Sequence, residues 1–335
     1  TQGAITVLHE FATKKQQDLF IPKLRTGEWG GTMGLTEPGA GSEVGAVQSK
    51  AFPTDTPGKY KLTGTKCFIS SGDHDLAENI IHLMLAKTPG AKEGTAGISL
   101  FIVPKFWVND DGSMGAWNDV TTMGIEHKLG IHGSTTATLS MGENDNCYGW
   151  MVGEAEVKDG RGIGMKQMFA YMNEERLNTG LFSLGCIGAA YYAALDYTKL
   201  RVQSKHSTNP KGPSVRIIEH EDVRRMLLSQ KAILEACRAL IYKSYLYRDL
   251  AVDAATPEER EFYDDMFAIN NPMCKAYTSD MARLSTGDAI QCLGGYGFTE
   301  EYAPAELYRD VVIYGIWEGT NFIQAQDYTG RKFTM

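Results

Sequence analysis

The 335-residue chain predicts a multidomain α+β protein, with a short helical start, a compact β domain and a bundle of long helices. Three observations predict it. Near residue 31 the apolar spacing changes, and Gly and Pro then recur at short intervals, as turns between strands require. After residue 160 helical spacing appears and persists. No β-α-β alternation is visible, which argues against a doubly wound sheet. The expected divisions are residues 1–30, 31–157 and 158–335.

Within residues 3–24, Ile5, Leu8, Phe11 and Ala12 fall at helical spacing, followed by Leu19 and Phe20, and Pro22 closes the pattern. This predicts one or two helices with nothing of their own to pack on, the remnant of a helical domain. The chain opens at Thr1 without an initiator methionine, so a longer polypeptide is expected. Strands are predicted over Tyr60–Ser70, Ile80–Lys87, Gly97–Pro104 and Ser134–Met141. The run Ile98 to Val103 is nearly all apolar or β-branched, as a strand buried on both faces should be. Beyond Gly160–Gly164, one helix aligns Leu181, Leu184, Gly188, Tyr191 and Leu195. A second aligns Val223, Met226, Leu227, Leu234, Cys237, Ile241 and Tyr245, with the breaker Asn209–Pro213 between the two. A third helical region near 258–290 contains Pro272, which predicts a kink or a break. Long antiparallel helices of this kind pack as a bundle.

Composition narrows the function. The chain is 43% hydrophobic and 22% charged, ordinary for a globular protein. A net charge of -8 argues against wrapping nucleic acid or lying on an anionic membrane. Six scattered cysteines without a C-x-x-C pair indicate neither zinc nor a disulfide framework, and seven dispersed histidines indicate no metal. No apolar run approaches the roughly 20 residues of a membrane span, and no secretory signal opens the chain, so a reducing, cytoplasmic setting is expected.

Five motifs remain. Residues 35–43, Leu-Thr-Glu-Pro-Gly-Ala-Gly-Ser-Glu, form a hydroxyl- and glycine-rich loop that suits either a ligand or an ordinary multi-turn connection. Lys66–Gly72 reads alone as strand core and turn. Gly160–Gly164 lacks the β-α-β context of a dinucleotide fingerprint. Gln291–Phe298 places glycines after a helix, which suits a cap or a flat platform for a ligand. Ile316-Trp317-Glu318 brings a carboxylate out of an apolar wall at the start of an expected helix. That setting raises the pKa of an acid and suits it to proton transfer near neutrality, although helix-dipole complementation is the commoner role.

Taken in order, these motifs resemble the flavin-dependent acyl-CoA dehydrogenase family over nearly the whole chain. Leu35–Glu43 is similar to the family's Thr-Glu-Pro-x-Ala-Gly-Ser-Asp signature, with Glu43 for the usual Asp. Gln291–Phe298 and Glu318-Gly319-Thr320-Asn321 match two more at the expected separation. Ile125–His132 and Glu219–Leu228 resemble the longer-chain branch, which includes enzymes acting on 3-methylthiopropanoyl-CoA and carries a further C-terminal domain. The resemblance implies an N-terminal helical domain, here mostly missing, a middle β-barrel-like domain and a C-terminal four-helix bundle. It also implies truncation at both ends.

It implies α,β-desaturation of an acyl-CoA thioester, on a short, medium or thioether chain, with FAD as cofactor and Glu318 as the base that removes the α-proton. The backbone at Glu318 would help hold the thioester oxygen, with Gly319 against the substrate. Met33, Leu35 and Thr36 would contact the flavin from the first loop, Phe68, Ile69 and Ser70 from its other side, and Thr320 and Asn321 beside the base. Gln291, Gly294 and Gly295 would meet the adenine-bearing half together with Arg201, from a neighbouring subunit of a homodimer or homotetramer. Ser42, Asn173 and Arg176 would bind acyl-CoA, and an electron-transfer flavoprotein would take the electrons. Two departures from pattern stand out: Phe68-Ile69-Ser70 replaces Trp-Ile-Thr, and Ser204-Lys205 follows Arg201-Val202-Gln203 in place of Phe-Gly. The alternatives are an acyl-CoA oxidase-like enzyme and a non-catalytic, nucleic-acid-binding relative of the same fold.

Overall fold

A computed structural model describes residues 1–154 and 157–332, so the end of the predicted helical region, residues 333–335, lies outside the described residues. The chain divides into two compact units. The first comprises Thr1–Lys128 and His132–Glu174, and the second comprises Leu129–Ile131 and the residues from Glu175 on.

The first unit opens with α1 (Gln2–Phe11) and α2 (Lys14–Thr26). Thr13 starts α2 with a capping box, its hydroxyl accepting from Gln16 N at 3.3 Å while Gln16 Oε1 accepts from Thr13 N at 3.0 Å. The helix does not stop at Pro22 as the sequence predicted; it runs to Thr26 and ends at left-handed Gly27. Nor do these helices lack a partner. Ala4, Val7, Leu8, Phe20, Ile21 and Leu24 share one core with the sheet, and Phe20 packs 6.2 Å from Trp29 and 5.9 Å from Trp150.

The strands are β1 (Trp29–Gly34), β2 (Lys50–Pro53), β3 (Lys59–Ser70), β4 (Asn79–Lys87), β5 (Ile98–Pro104), β6 (Phe106–Val108), β7 (Met114–Trp117), β8 (Val120–Ile125), β9 (Thr136–Met141) and β10 (Tyr148–Met151). Eight of them form one sheet in the order β1-β4-β5-β10-β3-β9-β8, with β2 joining β3 to β4. The path β4-β5-β10-β3-β2 therefore closes on itself through Lys50 beside Lys87, which makes this part barrel-like. Strand alternation then sorts the side chains of β4 and β5. Ile81, Leu83, Leu85, Leu100 and Ile102 join the core with α1 and α2, while Met84, Ala86, Phe101 and Val103 fill a second core. Burial on both faces is why β4 and β5 read as continuous apolar runs. Strand β1 runs parallel to β4 and is too glycine-rich, at Trp-Gly-Gly-Thr-Met-Gly, to announce itself as a strand.

Helix α3 (Gly164–Leu200) begins in the first unit and belongs to the second from Glu175 on. There follow the hairpin β11 (Val202–Lys205) and β12 (Ser214–Arg216), whose loop holds the Asn209–Pro213 breaker, then α4 (Glu221–Asp253) and α5 (Pro257–Leu293). The shorter α6 (Ala303–Val311) and α7 (Asn321–Asp327) complete the second unit. On α3 the buried stripe is Leu177, Leu184, Ile187, Tyr191 and Ala194, while Leu181 is exposed. Helix α5 passes through Pro272 without the break the sequence allowed. Proline removes one helical hydrogen bond, and the apolar turns on either side, Phe267 and Cys274, are packed in the core. Among the described residues, no helix is long and apolar enough to cross a membrane, and no group of three His, Cys, Asp or Glu is placed to hold a metal.

Candidate active site

In the second unit the chain leaves α6 through a 3-10 turn, Val312–Gly315, and Trp317 stacks on Tyr314 with ring centroids 5.4 Å apart. Glu318 and Gly319 then both take left-handed backbone angles, φ 54° and 85°. Glycine adopts this readily; a glutamate there costs roughly 1–2 kcal/mol and needs its surroundings to hold it. Three side-chain hydrogen bonds do so. Arg176 Nε donates to Glu318 O at 3.3 Å, and Gln324 Nε2 donates to Glu318 O at 3.0 Å and to Gly319 O at 3.1 Å. The helix itself starts later, since Thr320 caps α7 by accepting from Ile323 N at 3.4 Å. Glu318 therefore precedes the helix rather than starting it, which weakens the dipole role weighed from the sequence.

Although Glu318 as a residue is half-buried, its Oε2 is sealed from solvent and has no hydrogen-bond partner among the described residues. Native folds rarely leave such an atom unpaired, and when they do the group often has work to perform. Burial first, then the negative charge of Glu175, push the Glu318 pKa up to about 7, against the opposing pull of Arg176 and Lys275. The result is a carboxyl poised to give and take a proton near neutrality.

The neighbours were only partly foreseen. Arg176, expected on the acyl-CoA, is 4% exposed and lies under the Glu318 turn, with Nη1 3.7 Å from Asp327 Oδ2. Asn321, expected on the flavin, gives its side chain to α5: Oδ1 accepts from Lys275 Nζ at 2.9 Å, and Nδ2 donates to Ser279 Oγ at 3.0 Å and Asp280 Oδ1 at 2.8 Å. Lys275 and Gln324 are not among the site residues the sequence predicts. Lys275 carried a signal, being a lysine on the stripe Asn271, Cys274, Thr278 and Ala282, where a helix buries its side chains.

In the first unit, Cys67 N donates to Thr36 O at 2.9 Å and so ties the 35–43 loop to β3. Beneath that tie lies a buried ion pair the sequence did not reveal. Lys66 Nζ meets Glu37 Oε1 at 2.7 Å and Leu35 O at 3.2 Å, and Ser49 Oγ donates to the same carboxylate oxygen at 2.6 Å. Burial opposes the charge on Glu37, but Lys66 and the surrounding donors outweigh it and hold the carboxyl below its ordinary pKa. Where β3 pairs with β9 the register shifts between Lys66 and Ile69, and Phe68 takes φ 60°. This bulge turns Phe68 outward, 63% exposed, with Ser70 also exposed. Ile69 and Leu35, expected on the cofactor, instead point their side chains into cores, which leaves only their backbones for a ligand. Met33 is half-buried on β1, Ser42 is exposed in a turn, and Asn173 is half-buried on α3.

Arg201, Gln291, Gly294 and Gly295, far apart in sequence, line one cleft of about 600 Å³ in the second unit, together with Tyr197 and His220. Arg201 extends along Gln203, with Nη2 to Oε1 at 2.7 Å. At Gly294, φ is 62° and a side chain would meet only open space, so bare backbone faces outward. A cation, an amide and bare glycine backbone fit a phosphate and a flat base, and the outward Phe68 ring fits a flat heteroaromatic system.

Residues 32–143 match the profile of the acyl-CoA dehydrogenase middle domain, and residues 162–331 match that of the acyl-CoA dehydrogenase C-terminal domain. A butyryl-CoA dehydrogenase of Syntrophomonas wolfei is 72% identical over the whole chain, which covers 55% of that protein. The 3-methylmercaptopropionyl-CoA dehydrogenase of Ruegeria pomeroyi is 40% identical over 99% of the chain and 55% of its own length. The chain thus spans about half the length of these curated relatives. Among solved structures, butyryl-CoA dehydrogenase from Megasphaera elsdenii superposes with a TM-score of 0.77 at 29% identity, over 97% of this chain and 74% of that one.

Proposed function

Since the chain belongs to the acyl-CoA dehydrogenase family, we propose that the protein desaturates a short-chain acyl-CoA to the 2-enoyl-CoA, with Glu318 as the base. The observation that carries this reading is the sealed, unpartnered Oε2 of Glu318, whose pKa is pushed up to about 7. As carboxylate, Glu318 takes the proton α to the thioester carbonyl, and the α-carbon keeps the electron pair. As the Cα–Cβ double bond forms, the β-hydrogen departs with its own pair. FAD, when bound, supplies the two-electron acceptor for that hydride.

The chain's own residues then have definite work. Arg176 and Gln324 hold the Glu318 carbonyl, which fixes the turn and keeps the carboxyl aimed. The backbone N–H at Glu318 is the donor we assign to the thioester oxygen, where negative charge develops, with Gly319 against the substrate. We assign the flavin ring to the outward face of Phe68 and Ser70 and to the loop backbone at Leu35 and Thr36, and the adenine-bearing half to the cleft of Arg201, Gln291, Gly294 and Gly295 on a neighbouring subunit. Ser42 and Asn173 remain the acyl-CoA contacts in this reading. An electron-transfer flavoprotein is the proposed acceptor, and a homo-oligomer the proposed assembly. The similarity to butyryl-CoA dehydrogenases favours a four-carbon acyl chain over the thioether substrate and does not favour the oxidase-like or nucleic-acid-binding alternatives.

Anaerobic bleaching of the flavin-loaded, full-length protein tests this. Butyryl-CoA should bleach the parent rapidly and 3-methylmercaptopropionyl-CoA more slowly, while Glu318→Gln, still yellow, should bleach at least 100-fold more slowly, at the lower end of what general-base catalysis contributes (about 10²–10⁴). A Glu318→Gln protein that bleached at the parental rate would exclude Glu318 as the base.

A further inference from the structure

Helix α5 buries a cation directly beside the catalytic turn. Lys275 is fully buried, and its ammonium donates to Asn321 Oδ1 at 2.9 Å. Asn321 is locked in turn to Ser279 and Asp280, and it lies three residues beyond Glu318. A buried ammonium is costly to maintain, and an amide oxygen does not neutralise it. Among the described residues, the charged groups acting on Glu318 are Glu175 and Arg176 on α3 and Lys275 on α5. Lys275 also faces Asp280 and Arg176, while Arg176 faces Asp327 and Arg331. Burial lowers the Lys275 pKa to about 8, with Glu318 as the largest opposing influence.

We propose that Lys275 is a positioning residue for proton abstraction: it holds the Glu318 turn through Asn321 and brings a buried positive charge to the site of the base. The inference rests on the assignment of Glu318 as the base. Without the cation, desolvation and Glu175 would act on Glu318 with less to offset them, and the carboxyl would stay protonated to higher pH. Too strong an attraction would leave a carboxylate too weak to take an α-proton. One buried lysine, itself easily deprotonated, gives a setting between the two.

The test reads Glu318 directly, by its carboxyl infrared band, identified as the band lost in Glu318→Gln, titrated in the flavin-loaded, full-length protein without substrate. Lys275→Gln removes the charge but keeps a donor for Asn321. Lys275→Met removes both the charge and the donor and keeps an apolar chain of similar length. Both should raise the Glu318 midpoint by about one pH unit or more, since an opposite charge close by is worth about one to three. Flavin bleaching should follow, about fivefold slower at pH 7 for a one-unit rise and recovering at higher pH. A Glu318 midpoint unchanged in both variants would overturn the proposal, as would a Lys275→Arg protein, with its charge kept, whose midpoint moved as far as that of Lys275→Gln. The infrared midpoint is independent of substrate. If Glu318→Gln bleached normally, the base assignment would fail on that result, and the Lys275 titration would still be decided on its own.

Discussion

Replacing Glu318 by Gln should stabilise the fold in a manner that depends on pH. The carboxyl moves from an ordinary pKa of 4.5 to about 7 on folding, mainly because burial penalises its charge. At about 1.4 kcal/mol per pH unit, ionising Glu318 in the folded protein costs about 3 kcal/mol more than in the unfolded chain. The raised pKa means that the folded state holds the proton more tightly, so its contribution to stability is full below pH 4.5 and is lost as pH rises to 7. Glutamine has the same shape and no charge to bury. In urea unfolding of the flavin-loaded parent and variant at matched pH, the free-energy gap should therefore move in favour of the variant by about 3 kcal/mol between pH 4.5 and 7.5, then level off. A gap that stayed constant across this range, or moved the other way, would refute the assignment of a buried carboxyl with a raised pKa at this position.

Two further outcomes follow from the first unit. Lys66→Met should destabilise the protein by about 3–5 kcal/mol, because it strands Glu37 as a buried, unpaired carboxylate, whereas Lys66→Met with Glu37→Gln should recover most of that loss; a double-mutant cycle in urea checks it, and purely additive effects would count against the pair. Phe68→Ala removes an exposed ring and should change stability by no more than about 0.5 kcal/mol, yet it should lower the flavin retained after gel filtration; parental retention would argue that Phe68 does not face the cofactor.

The fold was legible wherever a local pattern reports burial. Strands β4 and β5 are apolar on both faces and lie within one residue of their predicted bounds, and the predicted inward stripe of α4, Val223 to Tyr245, packs in the core with only its two end residues partly buried. Glycine-rich β1 was not found, because its place in the sheet depends on parallel pairing with β4, which local composition does not encode. Pro22 and Pro272 misled for a related reason. Proline's local cost is readable from the sequence, whereas the packing that offsets it is not.

At the candidate site the same division holds. The ordered agreement of three motifs with one family nominates Glu318, whereas an acid after Ile-Trp, taken alone, favours the commoner helix-dipole role. The sequence alone also determined the order of helix, barrel-like sheet and bundle. Only the tertiary structure decided how Glu318 is held and tuned. Arg176, Lys275 and Gln324 reach it from three different helices, Asn321 turned out to serve α5, and Leu35 and Ile69 turned inward. The reason is physical. Whether a side chain is buried in a stripe follows from periodicity along one element, but the pKa of a carboxyl depends on charges delivered by other elements, and those distances exist only once the chain has folded.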